Sequence, residues 1–306
     1  MCGRYAASQS TAELALEFEV DQDRTGEPSR SVLVNPQQPP AGSADYNMAP
    51  TKQARVVLSS RPRPPHGSVD TGGTAAAAPS APSAPSAPSA PPASPAESVR
   101  QLRLLTWGLV PSWSKTPTTG PRMINARAET VLGKGAFARA VLRRRCLVPA
   151  DGWFEWQASP TARDAKGRPR KQPFFIHRGD GDPIAFGGLF EHWRDPAVED
   201  SDDPRAWLST FTILTTVAEP GLDRIHDRQP LVLDPDQWSA WLDPDLQDPD
   251  AVAGLLLPAA PGRFVGHPVT AAVGAAASNG PQLLDPLPPD QLHGVVDPMS
   301  GEVLGG

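Results

Sequence analysis

Two cysteines among 306 residues are too few to build a disulfide framework. They form no CxxC pair, the six histidines make no HExxH, and no Cys/His or His/Glu spacing suits a metal, so no metal centre is expected. Neither GxGxxG nor GxxxxGK[ST] occurs, which removes the phosphate-cradling loops and with them the expectation of a nucleotide cofactor; no cofactor of any kind is expected. No apolar run reaches the length of about eighteen residues that a membrane helix needs, and no basic N-terminal region leads into an apolar one. The chain therefore reads as a soluble cytoplasmic protein with no membrane partner. Hydrophobic residues make up only 39% and aromatics 6%, so core-forming material is scarce and must be concentrated in part of the chain.

Proline is what the chain has in excess. Its 38 prolines are too many for a compact fold throughout. Ten of them fall in residues 61–97, where "AAAAPSAPSAPSAPSAPPASPA" offers almost nothing to bury and favours polyproline II, so a solvated, disordered insert is expected there. "ARVVLSS" before the insert and "LRLLTWGLVPSW" after it both have strand character. The insert thus interrupts one domain, spanning 2–290, and does not separate two. Residues 291–306 are expected to be a disordered tail.

Charge is segregated along the chain. Arg100 to Trp156 holds ten Lys/Arg against three Asp/Glu, a net of +7, whereas Glu191 to Ala260 holds four against fifteen, a net of −11. The total of −6 therefore conceals a segment able to face phosphates, or one that is simply solvated.

Residues 9–19, "QSTAELALEFE", predict a short amphipathic helix capped by Ser10 or Thr11, with Leu14, Leu16 and Phe18 on its apolar side. Further helical patterns cover about 131–143 and 236–242. Elsewhere short β-rich runs such as "RCLVPADGWFEW", "QPFFIHR", "PIAFGGLFEHW" and "STFTILTTVA" alternate with Gly, Pro and Asp turns. Edge strands are expected near Phe264–Val269 and Leu283–Leu284. The fold class is α+β: a curved, mainly antiparallel sheet or open barrel with a few short helices.

Four segments could carry chemistry. The chain opens "MCGRYA". Removal of Met1, which the small side chain at position two permits, would give Cys2 a free α-amine beside its thiol. In "INARAET", Asn125 and Arg127 lie two apart and share a face if extended, an amide and a guanidinium suited to an anion or to loose backbone groups. In "PADGWFEW", Glu155 stands between Phe154 and Trp156; it either faces solvent on an alternating strand or is desolvated and raised in pKa for proton transfer. In "RIHDRQPLVL", His226 lies between charges at a loop-to-strand edge, as a structural group or as an acid/base. The tryptophans of "TWGLVPSWSK", Trp107 and Trp113, with Lys115, serve either as core anchors or as stacking platforms for unpaired bases.

Taken in order, "MCGRYA", "YNMAPT", "WGLVPSW", "INARAET", "CLVPADGWFEW", "QPFFIH", "LTTVA" and "IHDRQPLVL" resemble the SRAP (SOS response-associated peptidase) family over roughly residues 2–60 and 98–290. The resemblance implies recognition of abasic sites in single-stranded DNA and a covalent DNA–protein crosslink through the N-terminal cysteine, with lyase activity and slow reversal as companions. It implies a catalytic group of Cys2, Asn125, Glu155 and His226. DNA contacts fall on Arg4, Arg127, Arg228 and Trp113, with Gly3 allowing the terminal segment to approach the strand closely. Ser114 departs from the family, which often carries a second aromatic at that place. A monomer is expected, associated with the nucleoid when bound to DNA. Two other readings compete: a Cys-dependent peptidase with an N-terminal nucleophile, and a single-stranded DNA-binding protein without catalysis.

Overall fold

The computed structural model describes residues 2–61 and 98–305. The Ala/Pro/Ser insert expected over 61–97 therefore lies, from residue 62 on, outside the described residues. In chain order the strands are β1 (Tyr5–Ala7), β2 (Gln22–Asp23), β3 (Asp45–Met48), β4 (Gln53–Ser60), β5 (Val99–Trp107), β6 (Asn125–Arg127), β7 (Arg145–Ala150) and β8 (Gly152–Arg163). They continue with β9 (Pro169–Arg178), β10 (Ile184–Arg194), β11 (Trp207–Val217), β12 (Arg228–Pro230), β13 (Val232–Leu233), β14 (Phe264–Pro268), β15 (Val295–Val296) and β16 (Val303–Leu304). The α-helices are α1 (Thr11–Glu17), α2 (Ala138–Arg143), α3 (Pro235–Leu242) and α4 (Pro249–Leu255). The α+β expectation holds.

One sheet runs β11–β10–β7–β4–β5, and β5 then pairs with β11 in parallel through Thr106–Thr210 and Trp107–Phe211. The expected open barrel is thus a closed ring of five strands, which leaves no free edge within the ring. Its strands are buried on both faces, so they read as continuous apolar runs and show little alternation. Val56 and Leu58 of β4, Cys146 and Val148 of β7, and Phe186 of β10 join one apolar cluster. Their neighbours Val57, Leu147 and Ala185 join another, under Leu14 of α1, Val141 of α2, Trp241 of α3 and Val252 of α4. The second sheet, ordered β14–β9–β8–β1–β3, is antiparallel and carries the chain's first strand in its interior.

The helices follow their local signals. Ser10 and Glu13 form a reciprocal capping box, with Glu13 N donating to Ser10 Oγ (3.2 Å) and Ser10 N donating to Glu13 Oε2 (2.6 Å). The pattern at 131–143 divides into a 3₁₀ turn, Ala128–Gly133, and α2, because Gly133 and Gly135 interrupt it. Helix α4 was not foreseen, although Asp248 caps it at Ala251 N (2.9 Å) and Pro249 opens it. Near Leu283 the chain forms a 3₁₀ turn, Pro281–Leu283, in place of an edge strand. The segment from 291 on corrects the expectation of a disordered tail: β15 and β16 make a hairpin, and Leu292 and Val295 enter the central apolar cluster. The segment's scattered apolar residues among Gly, Pro and Asp give no readable period, yet Leu292 and Val295 suffice when a prepared surface receives them.

Candidate active site

Cys2 is fully buried among core residues, next to a tethered strand. The tether is Tyr5, whose ring meets Trp107 edge-on at 5.2 Å and Phe186 at 5.8 Å between centroids. Tyr5 pairs with Trp153 across β1 and β8, and Arg4 O accepts from Phe154 N at 2.9 Å. These bonds set the terminal residues beside the start of β8, two residues before Glu155. From the other side β6, held in parallel register on β11 (Asn125 opposite Ile213), delivers Asn125. Its Nδ2 donates to the Cys2 carbonyl oxygen at 2.7 Å. Asn125 Oδ1 is buried without a hydrogen-bond partner among the described residues, an acceptor in reserve beside Cys2.

Among the described residues the Cys2 thiol donates to Arg4 O alone, at 3.9 Å. Burial and then the charge of Glu155 push this thiol well above its ordinary pKa, the reverse of an activated protease cysteine. Glu155 is 3% exposed, so its side chain faces inward and not to solvent. Burial pushes its carboxyl up to about 7, with Asp227 adding to the rise and Lys171 opposing it. Such a group exchanges a proton readily near neutral pH.

His226 follows the 3₁₀ turn Leu222–Arg224 and sits half-buried. Burial holds its imidazole below the usual pKa. Its Nδ1 lies 3.0 Å from Arg228 N and 2.9 Å from Asp227 Oδ1. A backbone N–H can only donate, so Nδ1 accepts from Arg228 N. Asp227, largely exposed, keeps its hydration.

The expected DNA-contacting residues divide. Arg127 is exposed at the end of β6, and Trp113 is 70% exposed. Trp107, by contrast, is a core residue whose Nε1 donates to Ile124 O at 2.9 Å. The loop bearing Trp113 closes where Gly108 (φ +127°) meets Gly120; a Cβ on Gly108 would stand 2.6 Å from Gly120 O. Ser114 is buried in that loop, its Oγ donating to Thr116 O and its carbonyl accepting from Trp193 Nε1, both at 2.7 Å. The side chain following Trp113 therefore points inward here. Gly3 is half-buried beside Cys2.

Arg4 and Arg228 are engaged within the protein. Arg4 Nη1 donates to Asn47 Oδ1 and Val273 O, each at 2.8 Å, which ties the N-terminal segment to β3 and to the turn Ala271–Gly274. Arg228 forks onto Glu129 at 2.7 and 2.9 Å, a bidentate pair that holds the Glu129 carboxyl below its ordinary pKa. Sequence reasoning missed Asn47, though it stands within "YNMAPT", and Gln157, two residues beyond Glu155. It also missed Lys171, which only the β8–β9 register brings across from Ala158. Among the described residues no cluster of His, Cys, Asp and Glu is suited to a metal, and no helix is long and apolar enough to cross a membrane.

A family model described as SOS response associated peptidase (SRAP) matches residues 1–276. Abasic site processing protein YoqW of Bacillus subtilis (strain 168) is 35% identical over 185 residues, 60% of this chain and 76% of that protein. Abasic site processing protein YedK of Escherichia coli (strain K12) is 35% identical over 184 residues, 59% and 73% of the two chains. A crystal structure of a Bacteroides thetaiotaomicron protein shares the fold with a TM-score of 0.61 at 19% identity, covering 94% of this chain and all of that one.

Proposed function

Because this chain belongs to the SOS response associated peptidase (SRAP) family, we propose that it processes abasic sites in single-stranded DNA by forming a thiazolidine crosslink through Cys2 once Met1 is removed. The observation that carries the reading is the hydrogen bond of Asn125 to the Cys2 carbonyl, together with a buried Glu155 whose charge acts on the Cys2 thiol. The names of the relatives, abasic site processing proteins, supply the substrate class.

The chemistry follows from the aminothiol. An abasic deoxyribose is mostly a closed hemiacetal, and Glu155, protonated in part near pH 7, gives a proton to the ring oxygen as the aldehyde opens. The Cys2 α-amine, with an ordinary pKa of about 7.7–8.0, attacks C1′ and the carbinolamine expels water to leave an imine. The thiol then adds to the same carbon of the protonated imine: the C–S bond forms, the C=N electron pair passes to the nitrogen, which keeps its proton as a ring amine, and the S–H proton passes to the Glu155 carboxylate. Amine and thiol share one residue, so ring closure is intramolecular and fast. A raised thiol pKa fits this order, since the thiol stays neutral until the imine presents a strong electrophile. Asn125 fixes the Cys2 carbonyl and with it the amine; His226 offers a ring N–H to an oxygen of the sugar or its 3′ phosphate, the group a lyase step expels. Arg127 holds a flanking phosphate and Trp113 stacks on a base.

The test is a denaturing gel with single-stranded DNA bearing one abasic site. The wild-type protein is expected to give a slow-migrating adduct, and Cys2→Ala to bind the DNA without one. A wild type that yields no adduct, or an intact mass that retains Met1 in an adduct-forming sample, defeats the mechanism.

A further inference from the structure

The residues after 276 lie outside the family match, yet part of them reaches the catalytic strand. On β8 the inward positions after Trp153 are Glu155, Gln157 and Ser159, all polar and all at most 4% exposed. The C-terminal hairpin covers this row. Gln157 Oε1 accepts from Val296 N (2.7 Å) and its Nε2 donates to Val296 O (2.8 Å), so the side-chain amide pairs with β15 as another strand would. The same Nε2 donates to Arg224 O (3.3 Å), two residues before His226. Ser159 Oγ donates to Gly294 O (2.6 Å), and Arg224 Nη1 reaches back to Pro298 O. Leu292 and Val295 add apolar contact in the cluster that holds Cys2, Trp153, Leu222 and Ile225.

The geometry points to the C-terminal hairpin, residues 292–305, as a strap that fixes the His226 turn against the Glu155 strand, with Gln157 as the positioning residue at its centre. The inference rests on the reading that Glu155 and His226 act together on the abasic sugar. The turn's own backbone bonds, Arg224 N to Gly221 O (3.1 Å), Ile225 N to Leu222 O (2.8 Å) and His226 N to Leu222 O (3.0 Å), are local and do not reach β8, and just beyond Gln157 β8 loses its regular pairing with β9 between Ala158 and Arg163. Gln157 satisfies the β15 backbone and the turn with one amide, so movement of the hairpin would leave a buried polar group unpaired at the site. Gln157 does not touch the reacting atoms; it acts through the two residues that do.

Two variants test the strap in the full-length protein. Gln157→Leu removes all three amide bonds at similar volume. Gly294→Ala sets a Cβ against Thr161 Oγ1 and 2.6 Å from Ser159 Oγ at a backbone φ of +60°, and so dislodges the hairpin without altering β8. In both, amide exchange over 222–228 is expected to quicken by about tenfold, as one or two bonds holding the turn are lost. The maximal single-turnover rate of crosslinking should fall by about tenfold with the half-saturating DNA concentration within about twofold of wild type, a split that general destabilisation would not produce. Unchanged exchange over 222–228 in both variants overturns the strap. So does faster exchange with a wild-type maximal rate. If the wild-type protein forms no adduct, the abasic-site reading is what fails, and the exchange measurement decides the strap by itself.

Discussion

Replacing Glu155 by Gln should make the protein more stable and less active at once, with the stability gain appearing only at higher pH. The reason is the burial of the carboxyl, 3% exposed, which raises its pKa from 4.5 to about 7. That difference corresponds to about 3 kcal/mol of penalty on the ionised form. Because the folded-state pKa lies above the unfolded one, the unfolded chain releases this proton more readily. Below about pH 4.5 the carboxyl is protonated in both states and costs nothing. As pH rises the unfolded state ionises first, and stability drains away until the folded carboxyl also ionises near pH 7. Above that the penalty is constant. A neutral amide at this position has no such loss, so Glu155→Gln is expected to match the wild type at pH 4.5 and to exceed it by about 3 kcal/mol at pH 8.

Urea unfolding of both proteins at several pH values from 4.5 to 8 measures this difference directly. Crosslinking to an abasic strand at pH 7 should meanwhile fall by a factor of about 10²–10⁴, since an amide neither gives nor takes the proton that ring opening and thiol addition require. The two outcomes would share one cause, a buried carboxylate that the proposed reaction uses. A variant no more stable than the wild type at pH 8 would refute the reasoning, because the ionised Glu155 would then be fully compensated by its surroundings.

Other substitutions separate chemistry from support. Arg127→Ala should weaken binding to single-stranded DNA and lower the slope of log affinity against log salt by about one, whereas Arg228→Ala should leave that slope nearly unchanged. Arg228→Ala should instead destabilise the fold at pH 7 by about 1 kcal/mol, limited by the solvent exposure of Glu129, and the loss should fade as pH falls and Glu129 protonates. Trp113→Ala is expected to cost about 1–3 kcal/mol of DNA affinity, read by fluorescence anisotropy, with no change in urea midpoint because the ring is 70% exposed. Asn125→Ala removes the 2.7 Å bond to the Cys2 carbonyl and should slow crosslinking by about tenfold at saturating DNA, measured in single-turnover assays, while affinity holds.

How far a sequence shows such a site depends on which physical rule each residue obeys. Glu155 was legible as a candidate because a carboxylate between Phe154 and Trp156 breaks local consistency, His226 because it stands between charges at a loop-to-strand edge, and Asn125 because its spacing from Arg127 puts both on one face. Their distances were not legible, because they depend on the parallel β6–β11 register and on β1 entering the middle of a sheet, pairings of high sequence separation with no local signal. Closure of the barrel was hidden for the same reason: β5 and β11 are about a hundred residues apart, and strands buried on both faces show no alternation to orient them. Arg4, Arg127 and Arg228 look alike in sequence, and only the partners Asn47 and Glu129 tell the two engaged guanidiniums from the exposed one. Glu155 is the most instructive case. The alternation "EWQAS" reads as a solvent-facing polar row, and on an uncovered strand it would be one. Here the hairpin at 295–304 lies across Gln157 and Ser159, and the polar row becomes an interior one. The burial that tunes Glu155 is therefore bordered by residues some 140 positions away, in a stretch whose composition alone suggested that nothing would fold there.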